Sequence, residues 1–90
     1  MKAKPTNTSP KEQRVTTPRQ VGDILRGRRQ AKGLSQADVA SKLGVSQARL
    51  SVAESKPGTL TVERLIDLAS LLDLDLVLRA RANDEPKPGW

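Results

Sequence analysis

Apolar residues recur at helical spacing through much of the chain, and short polar signals mark where each helix begins. Thr17 has the properties of an N-cap, Pro18 suits the first helical position, and Gln20 lies three residues beyond the cap. Gly33 is able to adopt the left-handed conformation that ends a helix. These signals predict a first helix that begins after Thr17 and ends near Gly33. Its apolar face comprises Val21, Ile24, Leu25 and Ala31.

Three further helices begin with one shared device. An apolar residue precedes a hydroxyl cap, and a second apolar residue follows four positions beyond the cap, which is a hydrophobic staple. The three staples are Leu34–Ser35–Val39, Val45–Ser46–Leu50 and Leu60–Thr61–Leu65. Gly44 lies between the second and third helices, where a tight turn requires a positive φ. Residues 55–58, Ser-Lys-Pro-Gly, break the chain before the fourth helix.

The fourth helix carries more apolar surface than one packing partner covers. Leu68 and Leu71 lie outside the centre of its apolar stripe, so apolar residues occupy much of its circumference. We therefore expect this helix to contact more than one partner. The stripe comprises Val62, Leu65, Ile66, Ala69 and Leu72.

After this helix the pattern changes from helical to alternating, which predicts a β-strand over 74–82. The chain offers no second strand to pair with it, so we expect pairing with a second copy. In an antiparallel pair centred on Val77, Asp75 lies opposite Arg79 of the mate. The alternative is that the segment continues the fourth helix or is a loop. The predicted dimer strand contains Leu74, Asp75, Leu76, Val77, Leu78 and Arg79.

The full chain has a net charge of +6, and the positive charge is concentrated in its N-terminal two thirds. Residues 17–58 carry eight cations and three anions, giving +5, whereas residues 59–82 carry three cations and four anions, giving −1. This asymmetry predicts a half that binds a polyanion and a half with another task. Within the arginine-rich run at 26–32, we expect Arg28 and Arg29 to lie on a solvated face.

Composition argues against an enzyme and against a cofactor. The chain contains no Cys and no His, which excludes disulfides, thiolate or histidine metal ligands and the catalytic arrangements that use these residues. Asp73 and Asp75 are spaced for ion pairing or capping rather than for a metal site. The chain has no apolar run of about 20 residues and no signal peptide, so we expect a cytoplasmic protein that binds neither a membrane nor a small-molecule substrate.

The stretch from Leu34 to Ser55, LSQADVASKLGVSQARLSVAES, contains two short helices around a glycine turn. It resembles the helix-turn-helix of the phage-repressor (Xre/Cro) family in its two Ser-Gln helix starts, in Ala40, in Gly44 and in Glu54. The resemblance implies a mainly α fold, a lambda-repressor-like helix-turn-helix domain of four or slightly more helices over 17–73. The predicted strand that pairs across a homodimer follows this domain.

In the Xre/Cro family the second helix of this unit enters the major groove. Carried over by position, the residues that contact bases are Ser46, Gln47, Ala48, Arg49, Ser51 and Val52. Gln47 is suited to bidentate hydrogen bonds with adenine, and Arg49 to guanine or a phosphate. Gln36 and Lys56 are expected to contact the DNA backbone. The alternatives are that Ser46 and Gln47 are simple caps, that Arg49 is solvated and that Lys56 is an ordinary loop lysine.

The whole layout, in which a helix-turn-helix, a fourth helix and a single strand are followed by a short tail ending in tryptophan, is similar to the HipB antitoxin family of HipA-HipB toxin-antitoxin modules. That similarity implies a dimer that represses its own operon and neutralises a HipA-like serine/threonine kinase toxin. The alternative is a stand-alone phage or chromosomal repressor of the Xre family without a toxin.

The two ends of the chain have compositions unlike the rest. Residues 1–16 are rich in Lys, Thr, Pro and Ser, which predicts a disordered basic arm that adds sequence-independent attraction to DNA. Residues 83–90 contain two prolines and end on Trp90, the one aromatic residue of the chain. We expect this tail to be flexible and extended, with Trp90 as the anchor that binds the toxin. The alternative is a frayed end whose indole packs loosely on its own domain.

Overall fold

The computed structural model describes residues 12–81, which form four α-helices and one short 3-10 helix. The helices are α1 (Pro18–Ala31), α2 (Gln36–Leu43), α3 (Gln47–Ser55) and α4 (Val62–Leu71), and the 3-10 helix is Pro57–Thr59. The predicted helix starts are confirmed, because Ser35, Ser46 and Thr61 each accept a hydrogen bond from the N–H three residues later. At the start of α1, the Gln20 side chain accepts the Thr17 N–H at 2.9 Å.

Three of the helices end on a residue in the left-handed conformation. Gly33 follows α1 with φ +70° and Gly44 follows α2 with φ +79°, as the sequence predicted. Asp73 does the same after α4 with φ +60°, although it is not a glycine. The N–H of Leu74 bonds the carbonyl oxygen of Ala69 at 2.8 Å, which closes the last turn of α4 as a Schellman motif. The chain therefore turns sharply away from α4 at Asp73.

The core lies where all four helices meet. Leu25 of α1, Val39 of α2 and Leu50 of α3 are buried there, together with Leu68 and Leu72 at the end of α4. Ala40 is also buried in this cluster, and its small side chain suits the close packing of α2 against α3. Since each helix places an apolar side chain in one shared core, the positions of α2 and α3 relative to α1 are set by packing.

The buried face of α4 includes Leu68 as well as part of the predicted stripe. Of the stripe, Ala69 and Leu72 are buried and Leu65 is half-buried, whereas Val62 and Ile66 are exposed. The expectation that Leu68 lies outside the centre is wrong, because Leu68 is buried in the shared core. Val62 and Ile66 instead form an apolar surface that no described residue buries.

Residues 74–81 form neither a helix nor a paired strand in this single chain. The alternative that α4 continues through this segment is excluded, because α4 ends at Leu71 and the chain turns at Asp73. The loop alternative stays open, and the predicted pairing needs a second copy. Arg79 donates to the Glu12 carboxylate at 2.7 Å, so this part of the segment lies beside Glu12. The rest of the predicted arm, and the predicted tail at 83–90, lie outside the described residues.

Candidate nucleic-acid interface

Helix α3 has one buried face and one exposed face. Leu50, Ala53 and Glu54 are buried against the other helices. All the residues that the sequence assigned to base contact are exposed: Ser46, Gln47, Ala48, Arg49, Ser51 and Val52. The first four of these residues lie at or just before the N-terminal turn of α3, the end that reads base edges in helix-turn-helix proteins. The structure thus brings the predicted set together on one accessible surface.

Local hydrogen bonds organise the start and the end of this surface. The Ser46 hydroxyl accepts the Arg49 N–H at 3.1 Å, so Ser46 acts as an N-cap as well as a surface residue. The Ser55 hydroxyl donates to the carbonyl oxygen of Ser51 at 2.9 Å in the last turn. Val52 leaves 46% of its surface exposed on this face. An exposed methyl surface here suits contact with a thymine methyl group.

The two predicted backbone-contact residues have different environments. Lys56 is exposed directly after α3. Gln36 is the first residue of α2 and is half-buried, and its side-chain amide donates to the Glu54 carboxylate at 3.1 Å. This contact holds the Gln36 amide in one orientation. Because that amide group has two hydrogens, one remains able to donate to a phosphate oxygen.

A buried carboxylate lies behind this surface, at the junction of α1, α2 and α3. Glu54 is only 4% exposed, and Arg29 of α1 is 8% exposed. The Arg29 guanidinium donates to both carboxylate oxygens of Glu54, at 2.7 and 3.1 Å, and also to the carbonyl oxygen of Leu34 at 2.9 Å. The two charges therefore compensate each other inside the fold, with the bidentate geometry that favours such pairs.

The expectation that Arg28 and Arg29 lie on a solvated face is therefore wrong. Arg29 is buried against Glu54, and Arg28 is half-buried and donates to the carbonyl oxygen of Leu72 at 2.9 Å. Both contacts join residues far apart in the chain, and helix packing creates them. The arginine-rich run thus contributes to the interior of the domain as well as to its charge.

The electrostatic character of the surface follows from where the acids lie. Between Val39 and Val62 the one carboxylate is Glu54. Burial opposes its ionisation, but hydrogen bonds from Arg29 and Gln36 outweigh burial and lower the pKa of Glu54 below its ordinary value. Its charge is matched by Arg29, so the exposed part of this stretch carries cations without exposed anions. Such a surface suits a polyanion.

Gly22 is a structural residue of this junction that the sequence analysis missed. A Cβ atom at Gly22 would overlap the backbone carbonyl oxygen of Glu54 and would lie 3.1 Å from Cγ of Pro57. Absence of a side chain is what allows α1 to approach the end of α3. A detectable signal was present, because Gly22, Arg26 and Arg29 recur at spacings of four and three, which place them on one face of α1.

The remaining polar clusters have structural explanations. The Lys32 ammonium group binds the Asp73 carboxylate at 2.5 Å, as the ion-pairing interpretation of Asp73 predicted. Asp38 accepts the Ser35 N–H at 2.9 Å and completes a capping box. Within residues 12–81, no group of three or more acidic side chains is placed to hold a metal ion. None of the helices described between these residues has both the length and the apolar character required to cross a bilayer.

This geometry defines a class of protein, and comparison with known families agrees with it. A family model described as Helix-turn-helix matches residues 25–78. The match spans more than half of the chain and includes α2, the turn at Gly44 and α3. The chain belongs to the helix-turn-helix family.

Within that family the chain is a homologue of the HipB antitoxin. Antitoxin HipB of Escherichia coli K12 is 28% identical over 75 residues, which cover 83% of this chain and 85% of the relative. Antitoxin HipB of Escherichia coli O6:H1 is 27% identical over 75 residues, which cover 83% of this chain and 80% of the relative.

Solved HipB structures share the fold. The HipB-O1-O2 complex matches with a TM-score of 0.70 and 28% identity, covering 77% of this chain and 100% of that chain. The HipA-HipB-O2-O3 complex matches with a TM-score of 0.70 and 28% identity, covering 77% of this chain and 97% of that chain.

Proposed function

We propose that this protein is a sequence-specific DNA-binding repressor and the antitoxin of a HipA-HipB-like toxin-antitoxin module. In this role it represses its own operon and binds and neutralises a HipA-like serine/threonine kinase toxin in the cytoplasm. The observation that carries DNA binding is the exposed face of α3, where all six predicted base-contact residues lie. The homology to HipB over 83% of the chain supports the antitoxin role.

In the proposed complex, the N-terminal half of α3 lies in the major groove of operator DNA. Gln47 and Arg49 hydrogen-bond base edges, while Ala48 and Val52 contact thymine methyl groups. Gln36 and Lys56 bind phosphates and set the register of the protein on the duplex. The remaining members of the set, Ser46 and Ser51, line the same face.

The proposed protein is a homodimer that pairs through residues 74–79. Leu76, Val77 and Leu78 are exposed in the single chain, and Val62 and Ile66 add a further exposed apolar surface on α4. Apolar exposure of this extent in a small domain is typical of an association surface. A dimer also fits DNA recognition, because a two-fold axis presents two α3 helices to two half-sites.

The proposed contact to the toxin uses the tail at 83–90, with Trp90 as its anchor. Tryptophan is enriched among residues that dominate interface energies, and prolines reduce the entropy that a tail loses on binding. The likeness to a HipB chain solved in complex with HipA supports a partner of this kind. The second candidate function is a repressor without a toxin, which the exposed face of α3 favours equally.

The DNA-binding proposal is tested by replacing Gln47 and Gln36 separately with alanine. Gln47→Ala is expected to weaken binding to the selected operator by about 1–3 kcal/mol and to relax specificity at one base pair. Gln36→Ala is expected to weaken all sequences alike, because a phosphate contact does not read sequence. Equal weakening of operator and random DNA by Gln47→Ala contradicts its assignment to a base.

The antitoxin proposal predicts that a kinase-like protein is encoded next to this gene, and it is tested by pull-down with that protein. Trp90→Ala is expected to reduce capture strongly, whereas Lys87→Ala in the same tail serves as the matched control and is expected to retain it. Unchanged capture by Trp90→Ala contradicts the anchor. Absence of capture by the unmodified protein favours the stand-alone repressor, and DNA binding is measured separately.

A further inference from the structure

Arg26 is a partly exposed cation of α1 that forms a long ion pair with the buried Glu54 carboxylate and lies outside the predicted interface. Its Nε lies 3.6 Å from Oε1 of Glu54, beyond hydrogen-bonding distance, and 42% of its side chain is exposed. The same oxygen accepts hydrogen bonds from Arg29 and from the Gln36 amide at 3.1 Å. Arg26 therefore lies beside Gln36, on the side of α1 that faces the start of α2.

The charge at this junction is not balanced. Glu54 carries one negative charge, and the bidentate hydrogen bonds from Arg29 already compensate it. Arg26 adds a second positive charge 3.6 Å from the same carboxylate, so cations outnumber anions at this junction. Its guanidinium group makes no hydrogen bond to any residue between 12 and 81, and 42% of its side chain is exposed. A guanidinium group in excess at an accessible position has donors that suit an oxyanion from outside the protein.

The start of α2 contributes to the same place. Gln36 is the first residue of this eight-residue helix, and the N–H groups of the first turn carry the positive end of the helix dipole. Asp38, the acid in this turn, accepts the N–H of Ser35 and is thereby directed to the cap. Arg26, the second amide hydrogen of Gln36 and the start of α2 thus present donors to one region of the surface.

We propose that Arg26 and Gln36 form a clamp for one phosphodiester group of DNA, and that the buried Glu54 carboxylate positions both side chains. This proposal rests on DNA binding by the face of α3. It extends the DNA-contact surface to α1, outside the helix-turn-helix unit. In this arrangement Arg26 supplies charge, Gln36 supplies a directed hydrogen bond, and Glu54 acts through them as a positioning residue without touching DNA.

The competing interpretation is that Arg26 is a structural partner of Glu54. The two interpretations differ in a measurable quantity, because a phosphate contact releases a counterion and an internal ion pair does not. Each phosphate neutralised contributes about 0.9 to the slope of log K against log salt concentration for duplex DNA. A purely structural role changes the unfolding temperature and leaves this slope unchanged.

The experiment measures binding to a random-sequence duplex of about 20 base pairs by fluorescence anisotropy over about 50–200 mM KCl, the range in which such slopes are resolved. The variants are Arg26→Gln, Arg26→Lys and the control Arg81→Gln, which removes the same charge from an exposed residue after α4. Arg26→Gln is expected to reduce the slope by about 0.9 per protomer. Arg26→Lys is expected to keep the slope, and Arg81→Gln to change it much less than Arg26→Gln.

A double-mutant cycle adds the geometric test. If Arg26 and Gln36 bind one phosphate, the combined variant Arg26→Gln/Gln36→Ala loses less affinity than the two single losses together. Additive losses, or a slope for Arg26→Gln equal to that of Arg81→Gln, overturn the clamp while DNA binding itself stands. Failure of the unmodified protein to bind any duplex overturns both the clamp and the proposed function. Circular dichroism at the assay temperature shows whether each variant is folded.

Discussion

Two regions of this small protein differ in whether their side chains find partners within one chain. At the junction of α1 and α3, a carboxylate that is 4% exposed meets a guanidinium group that is 8% exposed, and each has its partner within the chain. Along α4 and residues 74–81, apolar side chains face solvent, and Leu78 is 96% exposed. The Arg29–Glu54 pair is satisfied within one chain. The second region leaves apolar surface exposed, which the proposed dimer would bury.

The difference separates folding from assembly. Loss of a contact at the junction leaves a buried charge or a steric overlap inside one protomer, so the expected effect is on the free energy of unfolding. Loss of an apolar residue on the open surface removes nothing that the single chain buries. Its expected effect is therefore on association.

The largest loss of unfolding free energy is expected for Arg29→Met, which leaves the Glu54 carboxylate buried without its cation. Removal of one partner from a buried pair costs about 3–5 kcal/mol, a large fraction of the stability of a domain of this size. Urea unfolding followed by circular dichroism measures the loss. Arg49→Met on the exposed face of α3 is the control, and we expect it to change the unfolding free energy by less than about 0.5 kcal/mol.

The second largest loss of stability is expected for Gly22→Ala, because the added methyl group overlaps the carbonyl oxygen of Glu54. Forced separation of α1 from α3 costs about 1–3 kcal/mol. Gly27 lies in the same helix, and a Cβ atom there meets nothing within 4 Å. Gly27→Ala is therefore expected to stabilise the protein by up to about 1 kcal/mol through helix propensity. Equal effects of the two substitutions in thermal unfolding contradict the close approach.

Lowering the pH is expected to cause a smaller loss of folding stability, because the pKa of Glu54 is lower in the folded chain than in the unfolded chain. Burial raises this pKa, but hydrogen bonds from Arg29 and Gln36 lower it further than burial raises it. The resulting stabilisation is complete above the unfolded pKa and is lost as the pH falls through the folded pKa. Urea midpoints measured from about pH 6 to about pH 3 are expected to fall more for the unmodified protein than for Glu54→Gln. Parallel curves contradict this origin.

The smallest effect on folding is expected for Leu78→Ser, since the side chain is almost fully exposed in the single chain. We expect the unfolding free energy extrapolated to monomer to change by less than about 0.5 kcal/mol. Sedimentation equilibrium is expected to shift from dimer to monomer. Val52→Ser on α3 is the matched control, expected to weaken DNA binding and to leave the dimer intact. A dimer of unchanged affinity in Leu78→Ser contradicts the assignment of residues 74–79 to the interface.

Much of the fold could be predicted from the sequence because helix signals are local. A cap such as Ser46 bonds an N–H three residues away, and Gly44 adopts its positive φ for reasons contained in the turn itself. The predicted base-contact positions of α3 came from the family resemblance, which places them relative to the same local cap and turn. The role of Arg29 could not be predicted in this way, because its partner is 25 residues distant and lies on another helix.

The sequence by itself determined where the helices begin, and its family resemblance indicated which residues of α3 lie on the DNA-facing surface. Only the tertiary structure decided which of the arginines at 26–29 enter the interior, why residue 22 has no side chain, and which face of α4 is buried. The physical reason is the distance along the chain over which each interaction acts. Caps, staples and turns act within about one helical turn, whereas buried charge pairs and close helix contacts exist only after the helices have packed.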